Sequence, residues 1–254
     1  MNRRLGVALL IAAVWYRPAT ARAQDAVPTE ILSRTIFIKV GNEAGTAFTI
    51  DHQGKIYLVT ARHVVTDVPD KDAIIQINKG GQWQDYYTVK TLYPSSSDVD
   101  IAVFETAEKA TRPFDIAPAG DTGGVSLGQQ LWFIGYPFGL ASHVTIKGSG
   151  SVVLPFIKRG TMSAIDATNP DAVVYYIDGF NNRGFSGGPI LFWKFSTHTY
   201  KILGVVKGYR NDTAQLLVNG QQVDTNILVN SGILIGYSID LAIQAIDQSL
   251  KTQP

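Results

Sequence analysis

The sequence predicts an all-β protein of two barrels or sandwiches closed by one C-terminal helix. Three observations carry this. First, short runs rich in β-branched and aromatic residues recur along the chain, at 35–40, 47–50, 56–60, 73–77, 87–92 and 101–104, and again at 130–134, 151–153, 173–177, 190–193, 202–206 and 236–239. Second, residues 105–128 are turn-rich, with Pro113, Pro118, Gly120, Gly123 and Gly124, and divide these runs into two halves. Third, only 240–251 has helical spacing, with Leu241, Ile243, Ile246 and Leu250 near one face and Asp240 as a candidate cap. Between the second and third runs, Asp51-His52-Gln53-Gly54-Lys55 reads as a hairpin turn.

A chain of 254 residues suffices for one large domain or two small ones. Its net charge of +1 gives no bulk electrostatic case for nucleic acid or an anionic membrane as partner. There is no cysteine, which excludes thiolate catalysis and cysteine-held metals. His52, His63, His143 and His198 are the only histidines, and no two lie three to five positions apart, so no helical His-x-x-x-His metal site is available. No metal and no cofactor is expected. His143 and His198 fall in expected loops and read as solvated.

The N-terminus reads as a signal peptide over 1–23. Arg3 and Arg4 precede twelve largely apolar positions from Leu5 to Tyr16, and Ala21-Arg22-Ala23 supplies a small-x-small cleavage site. Twelve residues fall well short of the roughly 20 that span a bilayer. The expectation is an exported protein, periplasmic or secreted, with no membrane association after cleavage.

Residues 184–189, Gly-Phe-Ser-Gly-Gly-Pro, carry the most chemical information. A serine hydroxyl beside backbone N–H groups freed by glycine is the layout for acyl transfer: the hydroxyl attacks a carbonyl and the donors hold the resulting oxyanion. His63 follows an apolar run, Leu58-Val59-Thr60-Ala61-Arg62, and Asp98 and Asp100 precede another, Ile101-Ala102-Val103-Phe104. Histidine, aspartate, serine is one of the orders in which the catalytic triad recurs.

On these and three further motifs the chain resembles the trypsin-like (chymotrypsin-fold) serine peptidases, and within them the bacterial branch that includes the high-temperature-requirement proteases. Gly45-Thr46-Ala47-Phe48 resembles the family's Gly-[Ser/Thr]-Gly-Phe strand, with Ala47 in place of the second glycine. Thr60-Ala61-Arg62-His63-Val64-Val65 and Asp100-Ile101-Ala102-Val103 are similar to its histidine and aspartate motifs. Ile134-Gly135-Tyr136-Pro137-Phe138-Gly139 and Gly204-Val205-Val206 resemble its second-barrel strand and the strand after the serine loop. The resemblance covers roughly residues 35 to 250 and implies two six-stranded antiparallel β-barrels: 24–125 with His63 and Asp100, and 126–254 with Ser186 and the helix. It implies Ser186 as nucleophile, His63 as general base and acid, Asp100 rather than Asp98 as its orienting carboxylate, and the N–H groups of Gly184 and Ser186 as oxyanion hole. The implied partner is a protein or peptide substrate. The expectation is a protease domain without a PDZ module; the oligomeric state is left open.

Two departures bear on activity. Phe185 stands where the family usually has aspartate or asparagine, so the ion pair that switches on digestive members cannot form. The resemblance also assigns Phe180, Arg183, Lys207, Gly208, Tyr209 and Tyr237 to the substrate pocket, with Phe180 where trypsin carries its acidic base. This implies apolar rather than basic preference, with Arg183 and Lys207 as candidates for attracting acidic substrates. The alternative is a catalytically inactive or switchable peptide-binding protein of the same fold, kept open by Phe185. An esterase elbow, Gly-x-Ser-x-Gly, also matches residues 184–188, but it needs a strand–turn–helix context and a histidine further downstream than His198.

Overall fold

The computed structural model describes residues 26–109, 124–146 and 150–252. The expected signal peptide and most of the turn-rich segment after residue 109 lie outside these residues. A short helix, α1 (Thr29–Ser33), leads into β1 (Thr35–Val40), β2 (Glu43–His52), β3 (Lys55–Thr60), β4 (Ile74–Lys79), β5 (Gln82–Leu92) and β6 (Ala102–Lys109). These six close into an antiparallel barrel in the order β1-β2-β3-β6-β5-β4. A second closed barrel, in the order β10-β11-β14-β13-β12-β7, is built from β7 (Gln130–Gly135), β10 (Phe156–Asp166), β11 (Val174–Asp178), β12 (Pro189–Lys194), β13 (Thr199–Val218) and β14 (Gln221–Ser238). β8 (Ser142–Ile146) and β9 (Gly150–Leu154) form a separate hairpin, and α2 (Ile239–Lys251) ends the fold. The all-β, chymotrypsin-like fold class read from the sequence is the one observed.

Turn chemistry sets the registers. Gln53 and Gly54 both have positive φ (48° and 78°), as do Asn219 and Gly220 (51° and 77°). Two consecutive residues in this region make the turn whose twist matches a right-handed strand pair, so β2–β3 and β13–β14 fold as tight hairpins. β13 and β14 run far beyond the short strands expected at 202–206 and 236–239. Their distal halves form a two-stranded ribbon of mostly exposed residues.

The core has three parts. Leu58, Phe104 and Ile75 belong to the interior of the first barrel, and Phe133, Ile177 and Phe192 to that of the second. A third cluster joins the barrels, with Phe48, Tyr57 and Val103 on one side, Trp132, Leu191 and Val205 on the other, and Ile239, Leu241, Ala242, Ala245 and Ile246 of α2 against both. The helix starts one turn position earlier than expected. Ser238 rather than Asp240 is its cap, with the Ser238 hydroxyl accepting from the Asp240 N–H at 3.3 Å. Ser238 has the extended backbone a cap requires, whereas Asp240 lies inside the first turn, where its charge suits the positive end of the helix. Among the described residues no helix is long and apolar enough to cross a membrane.

Because Ile246 is fully buried where α2 meets both barrels, Ile246→Ala is expected to lower the unfolding free energy by about 2–5 kcal/mol, the usual range for emptying a buried aliphatic site. Urea denaturation reads this directly; a loss under about 0.5 kcal/mol, the range of ordinary surface changes, would contradict the role given to the helix.

Candidate active site

His63 sits in a 3-10 turn, Arg62–Val65, directly after β3. The turn is anchored by Val64 and Val65, both buried in the first barrel's core, which leaves the His63 ring half exposed. Asp100 lies just before β6, between the fully buried Val99 and Ile101, so its carboxylate is held against the same rim. One carboxylate oxygen stands 2.6 Å from His63 Nδ1 and the other accepts the His63 backbone N–H at 2.9 Å. An ionised carboxylate only accepts, so Nδ1 carries a proton and Nε2 is left as acceptor. Asp98 is exposed and uses its backbone instead, its carbonyl accepting from the Tyr237 hydroxyl at 2.7 Å.

Ser186 lies in the loop between β11 and β12. Its hydroxyl donates to the Lys207 carbonyl at 3.1 Å, and no hydrogen bond joins it to His63. The backbone around it is tied on many sides. The Ser186 carbonyl accepts from the Thr46 N–H (2.8 Å), the Gly184 carbonyl from the Thr46 hydroxyl (2.7 Å), and the Arg183 carbonyl from the Phe138 N–H (2.8 Å). Gly187 donates to Val206 and Gly188 to Phe185, each at 2.8 Å. The N–H groups of Gly184 and Ser186 donate to no described residue. Gly184 and Gly187 both have positive φ, and a Cβ on either would overlap backbone oxygens, of Tyr136 and of Thr46 respectively. Only glycine fits either place. Phe185 points inward, fully buried, with its ring edge-on to Phe133 at 5.2 Å.

Thr46 is the residue that sequence reasoning passed over. It is fully buried on β2 of the first barrel, yet most of its partners belong to the second. Besides its two bonds to the serine loop, its hydroxyl accepts the Tyr136 N–H at 3.1 Å, and its carbonyl accepts the Thr60 hydroxyl at 2.7 Å. Tyr136 is itself fixed: its phenol, held above the usual tyrosine pKa by burial, donates to the Thr35 carbonyl at 2.9 Å. The only local signal was Thr46's place in the Gly-Thr-Ala-Phe motif; nothing in the spacing revealed contacts 138 residues away.

A cavity of about 480 Å³ opens beside the histidine, lined by His63, Asp100, Lys207, Gly208, Tyr209 and Ile235. Lys207, Gly208 and Tyr209 had been assigned to the pocket by resemblance; Ile235 had not. Tyr237 is buried and not among the lining residues, with the Lys207 ammonium 5.5 Å from its ring centre. Phe180 is 58% exposed and, like Arg183, is not among the lining residues. Of the remaining histidines, His143 lies exposed on β8 rather than in a loop, and His52 pairs with Asp247 of α2 at 2.7 Å, far from the cavity. Among the described residues no three His, Asp or Glu side chains are placed to hold a metal ion.

One closed six-stranded barrel carries the histidine–aspartate pair and the other the glycine-framed serine. The sequence pattern of the trypsin-like peptidase domain family matches residues 45–192, more than half of the chain, and the chain belongs to that family. It is 28% identical over 179 residues to Protease Do-like 1, chloroplastic, from Arabidopsis thaliana. The matched stretch is 70% of this chain but only 36% of that protein, so the chain spans about a third of its relative's length. Among solved structures it is similar to the inactive form of a serine-to-alanine mutant of Rv3671c from M. tuberculosis H37Rv, with 16% identity, a TM-score of 0.55, and coverage of 89% of this chain and 91% of the other. It is also similar to a serine-to-alanine variant of the HtrA-type protease AlgW with a tripeptide, with 17% identity, a TM-score of 0.53, and coverage of 88% and 62%. At these identities the structures speak to the fold alone.

Thr46→Val should leave the Gly184 carbonyl and Tyr136 N–H buried without partners, at about 1–3 kcal/mol each, and free the loop that carries Gly184. The expected fall in kcat approaches the about 10²–10³ lost with one oxyanion donor, while Thr46→Ser retains most of it. Steady-state kinetics on the three proteins checks this; equal kcat in wild type and Thr46→Val would contradict it.

Proposed function

We propose that the protein is an exported serine endopeptidase that cleaves peptide bonds through His63, Asp100, Ser186 and an acyl-enzyme intermediate. The observation that carries this reading is the double hold of Asp100 on His63, at 2.6 Å to Nδ1 and 2.9 Å to the backbone N–H. It fixes the ring with Nε2 free as base, at a cavity whose wall includes Lys207, the residue that receives the Ser186 hydroxyl.

In the proposed reaction the Ser186 hydroxyl leaves the Lys207 carbonyl by rotating about its Cα–Cβ bond and gives its proton to His63 Nε2 as its oxygen attacks the scissile carbonyl. Asp100 stabilises the imidazolium without taking the proton. The Gly184 and Ser186 N–H groups, free of other acceptors, stabilise the oxyanion. His63 then protonates the leaving amine, and water, deprotonated by the same ring, releases the acid product. Substrates are proteins or peptides that enter the cavity in extended form. The boundary between the halves is placed near residue 125, between β6 and β7. Export rests on the basic start, the apolar run and the Ala21-Arg22-Ala23 site.

A second reading, a switchable or inactive peptide-binding protein, is favoured by one observation: the Ser186 hydroxyl rests on Lys207 and not on His63. One assay separates the two. The mature protein is expected to hydrolyse an unfolded protein substrate, and Ser186→Ala to lose at least about 10³ in kcat with an unchanged melting temperature. Equal turnover in the two proteins would remove Ser186 from the mechanism, and a folded wild type without turnover would favour the binding protein.

A further inference from the structure

We infer that Lys158 is a positioning residue for the serine loop, its side-chain nitrogen fastening residues 180–182 and thereby setting the place of Gly184 and Ser186. The inference rests on the reading of Ser186 as nucleophile and goes beyond it by assigning what holds the loop on the side away from Thr46.

Lys158 lies on β10, opposite Phe133 of β7. From there its ammonium reaches across to the loop. It donates to the Phe180 carbonyl at 2.8 Å and to the Asn182 side-chain oxygen. It also stands 5.6 Å from the centre of the Phe180 ring and 5.5 Å from that of Phe185. One side chain therefore touches residues 180, 182 and 185, the last of them adjacent to the nucleophile. The Asn182 carbonyl in turn accepts the Phe185 N–H at 3.3 Å, closing the turn that contains Gly184. Displacement of Asn182 moves that turn.

The chemistry of these contacts is specific. Among the described residues Lys158 makes no ion pair; its partners are a carbonyl, an amide oxygen and two ring faces, all belonging to the loop. A lysine serving only solubility turns its nitrogen to water. This one is desolvated enough that burial lowers its pKa from the usual lysine range. The loop meets this cation through oxygens and π-faces, with no carboxylate among the described contacts.

The contact complements those made by the rest of the fold. Thr46 holds residues 184 and 186, the Phe138 N–H holds residue 183, and the Asn230 side chain donates to the Asn181 carbonyl at 2.6 Å. Without Lys158, the Asn182 side-chain oxygen and the Phe180 carbonyl lose their only donor among the described residues. Between Gly179 and Gly184 the segment is then held by other elements only through residues 181 and 183.

The test compares wild type, Lys158→Met, Lys158→Arg and Asn182→Ala by steady-state kinetics on one peptide substrate and by hydrogen exchange over residues 180–187. The inference predicts that Lys158→Met lowers kcat by about 10–100-fold, below the full loss of one oxyanion donor. It predicts KM within about threefold, faster exchange over 180–187, and recovery of most of kcat in Lys158→Arg. Asn182→Ala lowers kcat in the same direction, and its effect does not add to that of Lys158→Met; it serves in place of Lys158→Met should that variant not fold. Unchanged kcat and exchange in either variant, or a change confined to KM, overturns the inference. Exchange reads the loop without reference to turnover, so an inert wild type whose loop still depends on Lys158 overturns the peptidase reading and leaves the loop assignment standing.

Discussion

The two barrels meet at Thr46. Through its N–H, hydroxyl and carbonyl this fully buried residue bonds Ser186, Gly184, Tyr136 and Thr60. His63 stands on the first barrel and Ser186 on the second, so any slip between the barrels would displace the proposed base from the proposed nucleophile. A shared apolar core and α2 prevent large slips; Thr46 fixes the last fraction of an ångström, because hydrogen bonds are directional where apolar packing is not. A buried hydroxyl can do this only if its partners are all in place, which makes the junction cooperative.

The serine loop is irregular backbone that must nevertheless be rigid. Its solution is to be gripped by other elements at nearly every residue, from Gly179, whose N–H donates to the Gly232 carbonyl at 2.9 Å, to Gly188. Phe185 contributes by filling the second barrel's core rather than by forming an ion pair. An apolar anchor of this kind needs no newly made chain terminus, and it ties loop order to the folding of the barrel itself. Among the described residues no acceptor pairs with the N–H groups of Gly184 and Ser186, which leaves both available for the oxyanion role proposed for them.

Much of this was legible in the sequence, and the parts that were not share a cause. The strands of the first barrel and five of the six in the second followed from β-branched runs, and the helix from the spacing of Leu241, Ile246 and Leu250, because both periodicities are local. β10 was not expected, since Lys158, Arg159 and Gly160 interrupt its pattern, and the run at 151–153 lies in the separate β8–β9 pair instead. His63, Asp100 and Ser186 were singled out because each stands in a motif of several residues. The role of Thr46 and of Lys158 was invisible, since each is an ordinary strand residue whose meaning lies in contacts distant in sequence. The cap was placed two residues late because Asp240 and Ser238 are both good cap residues and only backbone conformation separates them. The length of the β13–β14 ribbon was missed although Asn219-Gly220, a strong hairpin signal, was present. Ile235 lines the cavity beside His63 and was not singled out, because an apolar strand residue carries no local mark of such a place.

On the proposed reading, the fold holds the Ser186 loop ready without an N-terminal processing step beyond removal of the proposed leader. Intact-mass spectrometry of the protein recovered from its expression host, before and after a fluorophosphonate, tests this most directly. The account predicts a chain that begins at Gln24 and takes up one phosphonyl group per molecule, on Ser186, in nearly every molecule. A folded chain of that mass that stays unlabelled, and reacts only after further cleavage at its N-terminus, would contradict it.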